Sequence, residues 1–156
     1  MGNKFKTRKS WREKLERKQE PKIVDDPRGR GKMLIPRPLD VDALIRGVPK
    51  GRLVTDEQIR GRLAKDFHAD ITCPMTTGIF IRIAAEAAEE DLREGEKKIT
   101  PYWRVIKKDG RLNPKFPGGA EAQATRLEGE GHVIIRGEGK KPPRVKDFEK
   151  YLLNLY

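Results

Sequence analysis

The stretch Ile99-Thr100-Pro101-Tyr102-Trp103-Arg104-Val105-Ile106 sets two large aromatics between a proline and an arginine, with a short apolar pair behind them. Proline fixes φ and favours an extended residue before it, so Thr100-Pro101 opens a turn rather than continuing a helix. Asp109-Gly110 follows shortly and is a strong two-residue hairpin signal. Together these predict the start of a strand, with Tyr102 and Trp103 packed on opposite sides. Residues 104–108 would then pair with 111–112 across the turn.

Composition frames that core. The chain has 156 residues, 35% hydrophobic and 38% charged, which leaves room for one domain and an appendage. No run approaches the ~20 apolar residues that span a bilayer, and nothing at the start reads as a signal peptide. Cys73 is the only cysteine, and with no export signal the expectation is a cytoplasmic protein with no membrane contact. His68, His132 and Cys73 do not form a metal set, so neither a metal nor a cofactor is expected. The net charge of +11 is uneven: residues 1–37 hold thirteen Lys/Arg against five Asp/Glu. Lys4, Lys6, Arg8, Lys9, Arg28, Arg30 and Lys32 therefore form a basic arm suited to phosphates, whose neutralisation releases counterions. A solubilising tail is the alternative reading of the same run.

Taken in order, Ser10-Trp11-Arg12-Glu13 fits a capping box. The short helix it opens, to about Gln19, would dock Trp11 and Leu15 on the body. Residues 25–32 read as a flexible basic linker. A body over 38–156 begins with a helix carrying Val41, Leu44 and Ile45 and ending at Gly47. Thr55-Asp56-Glu57-Gln58 is a second capping box, opening a helix with Ile59 and Leu63 on one side. Pro74 suits the first position of the next helix, with Ile79, Ile83, Ala87 and Leu92 as its buried side and Gly95 as its stop. Helix, turn, helix is the arrangement of a helix-turn-helix unit. A proline-broken loop over 113–117 leads to Gly118-Gly119 and a helix with Ala120, Ala124 and Leu127. A strand over 132–136, a basic loop over 137–144 and a last amphipathic helix with Val145, Phe148, Tyr151 and Leu152 complete the chain. The predicted fold is mainly α with a small β component.

Three pieces, in order, resemble one family. Val48-Pro49-Lys50-Gly51-Arg52-Leu53-Val54-Thr55-Asp56-Glu57-Gln58-Ile59 resembles the opening of the DNA-binding domain of alkylguanine-DNA alkyltransferases. Pro101-Tyr102-Trp103-Arg104-Val105 is similar to their Pro-Cys-His-Arg-Val active-site motif. Gly118-Gly119, with Gln123, Arg126, Leu127 and Glu130-Gly131 at matching offsets, resembles the segment that follows. The resemblance covers about residues 38–134. It implies a winged helix-turn-helix of the alkyltransferase C-terminal-domain type that binds duplex DNA, with contacts from Thr55, Gln58, Met75, Thr76, Thr77, Gly78, Arg82 and Lys115. The family flips an alkylated guanine into a pocket, where a cysteine thiolate takes the alkyl group.

The departures decide the chemistry. Tyr102 stands at the nucleophile position, and a phenol with a pKa near ~10 is a poor alkyl acceptor at neutral pH. Trp103 takes the histidine's place and cannot act as a base. Glu130 matches the family's orienting glutamate, but with those partners replaced it reads as a solvated helix-end acid. Asp56 falls where the family has a phosphate-rotating tyrosine. Met75 falls where it has an intercalating arginine, and methionine can wedge between bases without a cationic hydrogen bond. The former active-site motif is thus Pro101, Tyr102, Trp103, Arg104 and Glu130, with no catalytic residue. The expected function is a monomeric, non-catalytic, alkyltransferase-like DNA-binding protein. The alternative is a repurposed scaffold for a protein or RNA/ribosomal partner, docking on the acidic helix Glu86–Glu94.

Overall fold

The computed structural model describes residues 10–155. The short helix α1 (Trp11–Leu15) is capped by Ser10, whose hydroxyl accepts from Glu13 N. Leu15 is fully buried in the main core, so α1 is part of the body. Strands β1 (Lys22–Asp25) and β2 (Lys32–Ile35) come next, then helix α2 (Pro38–Arg46). Strand β3 (Val54–Thr55) runs directly into helix α3 (Asp56–Asp66), where Thr55 and Gln58 form the reciprocal capping box. Strand β4 (Ile71–Thr72) leads to the long helix α4 (Pro74–Arg93), which Pro74 opens and Gly95 closes at φ +94°. A 3-10 turn, Tyr102–Arg104, precedes strand β5 (Val105–Ile106). Helix α5 (Gly119–Gly129), strands β6 (Ile134–Ile135) and β7 (Arg144–Val145) and a 3-10 turn, Phe148–Tyr151, finish the chain. The fold is helix-rich with three small sheets.

The core lies where α1, α2 and α3 pack on α4. The buried side of α4 is Thr77, Ile81, Ala84, Ala85, Ala87 and Ala88. This corrects the face predicted from its bulky residues, since Ile79 and Leu92 are 52% and 43% exposed. Alanines let neighbouring helices approach closely, so the small residues mark the contact here.

Three further expectations are corrected by non-local pairing. Residues 25–32 are the turn of a hairpin: β1 is antiparallel to β2, and β2 runs parallel to β4. Asp26 closes that turn, accepting from Arg30 N and Arg30 Nε, and the Arg30 hydrogen bond holds its carboxyl down at about 2. The Asp109-Gly110 turn is present, with Gly110 N donating to Lys107 O at 2.8 Å. Lys107 N also donates to Arg111 O at 2.9 Å across that turn, but β5 itself pairs in parallel with β3, and Tyr102 and Trp103 sit in the 3-10 turn rather than on a strand. Gly110 has φ +88°, and a Cβ there would meet the Phe148 ring at 2.5 Å, so both conformation and contact require glycine. The last amphipathic helix is replaced by β7 against β6 and an extended strap. Leu53 holds that strap by accepting from Leu153 N and donating to Tyr151 O.

His132 lies beneath the strap, buried, with its ring edge-on to Tyr151 at 4.8 Å. Neither ring nitrogen has a hydrogen-bond partner among the described residues. Burial lowers its pKa below the usual 6.5, against a smaller upward pull from Glu130. The unfolded chain therefore binds this proton more readily than the folded one. Its contribution to stability is complete above the unfolded pKa and falls as pH drops through 6.5 toward the folded value. His132→Phe should flatten the change in urea midpoint between pH 7 and 5; a variant retaining the wild-type slope would show that another group sets it.

Candidate nucleic-acid interface

The residues at the former active-site motif are tied down from several elements. The Tyr102 hydroxyl donates to Glu89 of α4 at 2.5 Å, and Arg126 of α5 reaches the same carboxylate at 2.6 Å. The Tyr102 ring meets Trp103 and Phe116 edge-on at 5.3 and 5.2 Å. Burial first, and the adjacent Glu89 carboxylate second, raise the Tyr102 pKa well above the ordinary phenol value. The Tyr102 hydroxyl is thus buried and neutral, with its proton engaged by Glu89. Pro101, Tyr102 and Trp103 are all buried, so this position is filled with side chains.

Glu130 corrects the expectation of a solvated acid. Its side chain is 9% exposed, and it accepts from Trp103 Nε1 at 2.8 Å, Arg104 Nη2 at 2.8 Å and Gly51 N at 3.2 Å. Arg104 also donates through Nη1 to Val48 O at 2.7 Å. Burial pushes the Glu130 pKa up, but the bonds from Arg104, Trp103 and Gly51 outweigh it and hold the carboxyl below its usual value. The glutamate thus clamps the Trp103 indole and the Arg104 guanidinium together.

Beside this clamp, the first half of α4 faces β5 and the following loop across a cleft of about 340 Å³. Its apolar side is Met75, Ile79, Ile81, Val105 and Ile106; its cations are Arg82, Lys107 and Lys115. Met75 is 73% exposed, although unbranched apolar side chains are ordinarily withdrawn from water. Asp56 also lines the cleft, with Arg60 at 3.8 Å as its ion-pair partner. The fold brings together Met75, Gly78, Arg82 and Lys115 of the residues selected from sequence, with Thr76 one turn position away, its hydroxyl near Cys73 Sγ at 3.2 Å. Lys107 and Ile79 were missed. Lys107 directly follows β5, whose parallel pairing with β3 places it at the cleft, and Ile79 lies on the exposed side of α4 next to Gly78.

The remaining selected residues have other employment. Thr55 is buried and caps α3. Gln58 returns that bond and donates its amide to Leu153 O at 2.9 Å. Thr77 is fully buried and its hydroxyl bonds Cys73 O. Thr55 and Thr77 are thus buried and Gln58 is half-buried, each with its side chain bonded within the chain. In the arm, Arg30 pairs with Asp26 and Lys32 with Asp25 on the hairpin, while Arg28 is exposed at its turn. Lys4, Lys6, Arg8 and Lys9 lie outside the described residues.

The acidic run of α4 is largely occupied by the chain itself. Glu90 accepts from the backbone N–H groups of Trp11 and Arg12, Asp91 pairs with the Arg12 guanidinium, and Glu89 holds Tyr102 and Arg126. A carboxylate at the start of α1 is favourable because the first N–H groups of a helix lack internal partners. The basic segment that docks on Glu86–Glu94 is therefore α1.

No family model matches the sequence, and no curated protein matches it. Among solved structures the likeness is to alkyltransferase-like proteins, and the chain has a fold of that type. The match is to Atl1 of S. pombe in complex with damaged DNA containing O6-carboxymethylguanine. It has 18% identity and a TM-score of 0.50, and covers 75% of this chain and 94% of that one. A second structure, S. pombe ATL in complex with DNA, gives 17% identity and a TM-score of 0.47 over the same shares.

Proposed function

We propose that this chain is a non-catalytic, alkyltransferase-like DNA-binding protein that reads duplex DNA through the cleft at the first half of α4. In this reading α3 and α4 act as the helix-turn-helix and residues 107–112 as its wing. Arg82, Lys107 and Lys115 contact phosphates, Met75 enters the base stack, and the apolar side of the cleft receives an extruded alkylated base. Arg28 at the hairpin turn and the basic residues before α1 add backbone contacts. The observation that carries this is the exposed Met75 set beside an apolar cleft with a cationic rim. At about 340 Å³ the cleft is within the ~300–1,000 Å³ range of small-ligand pockets. The buried hydroxyl of Tyr102 supports a role without alkyl transfer. The internal occupation of Glu89, Glu90 and Asp91 leaves the protein-scaffold reading without a docking face there.

The test is fluorescence anisotropy on a 20-base-pair duplex, with and without one O6-alkylguanine, at 0.1 M salt. The lesion duplex should bind about tenfold more tightly, a difference of roughly 1.4 kcal/mol, and the protein mass should be unchanged afterwards. Equal affinities would withdraw the lesion reading, and no binding to either duplex would withdraw the DNA reading. A mass gain equal to the alkyl group would withdraw the non-catalytic one.

A further inference from the structure

Toward the C-terminal end of α4, at Leu92, a second cleft of about 360 Å³ opens, and its Trp103 and Arg104 directly precede Val105 and Ile106 of the first. Its polar lining is Arg46, Lys97, Lys98, Arg104 and Arg126, and no carboxylate lines it. Trp103 forms part of its wall, with the Arg126 guanidinium over the ring at 4.3 Å. Leu92, Lys97, Lys98 and Ile99 come from the extended end of α4 and the loop after it.

We infer that this cleft is an anion site for a ligand carrying consecutive phosphates. Three of its cations are fixed in orientation by carboxylates outside the lining. Asp42 takes Arg46 Nε at 2.7 Å, Glu89 takes Arg126 Nη2 at 2.6 Å, and Glu130 takes Arg104. Arg46 and Arg126 are each bonded on one edge of the guanidinium, leaving N–H groups for a second acceptor. Lys97 and Lys98 are exposed and supply charge with no ion-pair partner among the described residues. A fork held from behind and open in front suits bidentate phosphate binding. Asp42, Glu130 and Glu89 offset three of the five cations, so a ligand meets the charges of Lys97 and Lys98 beside the open guanidinium edges of Arg46 and Arg126, an array that suits more than one anionic group. The two sources of such a ligand are a free polyphosphate and a nucleic-acid backbone. The site does not depend on the cleft at Met75.

The full-length chain is titrated with sodium tripolyphosphate by calorimetry, and its affinity for a 20-base-pair duplex is measured between 50 and 300 mM salt. Both are repeated on Lys97→Ala/Lys98→Ala and, as a control, on an adjacent lysine pair outside both clefts, Lys140→Ala/Lys141→Ala. Saturable tripolyphosphate binding that weakens at least tenfold only in the first variant assigns the site to a free polyphosphate. That outcome stands even if the chain binds no duplex. A salt slope for duplex binding that falls by about two units only in the first variant assigns it to a backbone. Equal behaviour of the two variants in both titrations would overturn the site.

Discussion

Glu130→Ala is expected to destabilise the protein by about 3–5 kcal/mol, the cost of leaving one partner of a buried ion pair alone. Arg104 is 13% exposed and has its other bond to Val48 O, so it cannot swing into water without breaking that bond as well. Trp103 Nε1 and Gly51 N would lose their acceptor in the same step. Glu130→Gln retains an acceptor oxygen and should cost less, about 1–3 kcal/mol. The double variant Arg104→Met/Glu130→Leu removes both charges and should recover part of the loss, because apolar replacement of a buried pair is often neutral. Urea denaturation of the three variants decides the matter. A loss below about 1 kcal/mol for Glu130→Ala would mean that water replaces the carboxylate. The Glu130 pKa is held below the ordinary glutamate value of 4.5, so this contribution is present above about pH 4.5 and is lost as pH falls through the lower folded value.

What the sequence made legible was local. The capping boxes at Ser10 and Thr55, Pro74 at the start of α4 and Gly95 at its end each depend on neighbours a few residues apart. Ordered motifs across residues 48–59, 101–106 and 118–131 carried the alkyltransferase-like fold. What stayed hidden was non-local. Asp25 to Lys32 has the composition of a linker; the antiparallel pairing of β1 with β2 makes it a hairpin turn, and β4, more than thirty residues on, pairs with β2 to complete the sheet. Val145, Phe148, Tyr151 and Leu152 have helical spacing, but Pro142-Pro143 and the register against β6 hold Val145 in a strand, and the helical turn is limited to the 3-10 piece Phe148–Tyr151. Glu130 has no local pattern that marks it as buried, because its donors come from positions 51, 103 and 104. The face of α4 was misjudged for a related reason. Hydrophobic size identifies core residues where elements pack at ordinary distance, and alanines identify them where helices close in.

Replacing Arg82, Lys107 and Lys115 together by glutamate is expected to weaken duplex binding at least about 100-fold at 0.1 M salt. Each reversal exchanges attraction for repulsion at a phosphate. In water at contact distance that is about 1 kcal/mol each way, roughly 2 kcal/mol per site. Screening at this ionic strength, with a Debye length of about 10 Å, reduces the sum but does not remove it at contact. Even half of the total is about 3 kcal/mol, more than a hundredfold in affinity. The salt slope should also fall by about three units, because three phosphate contacts no longer release counterions. Arg82 and Lys115 are exposed and Lys107 is half-buried at the rim, and none has an ion-pair partner among the described residues, so the fold should tolerate the change. Met75→Ala separates the two parts of the interface. It removes the wedge but no charge, so lesion preference should disappear while the salt slope holds. If the triple reversal leaves affinity within threefold of the wild type, the duplex does not approach α4 from this side. The residues before α1 would then carry the binding, and removing residues 1–9 should abolish it.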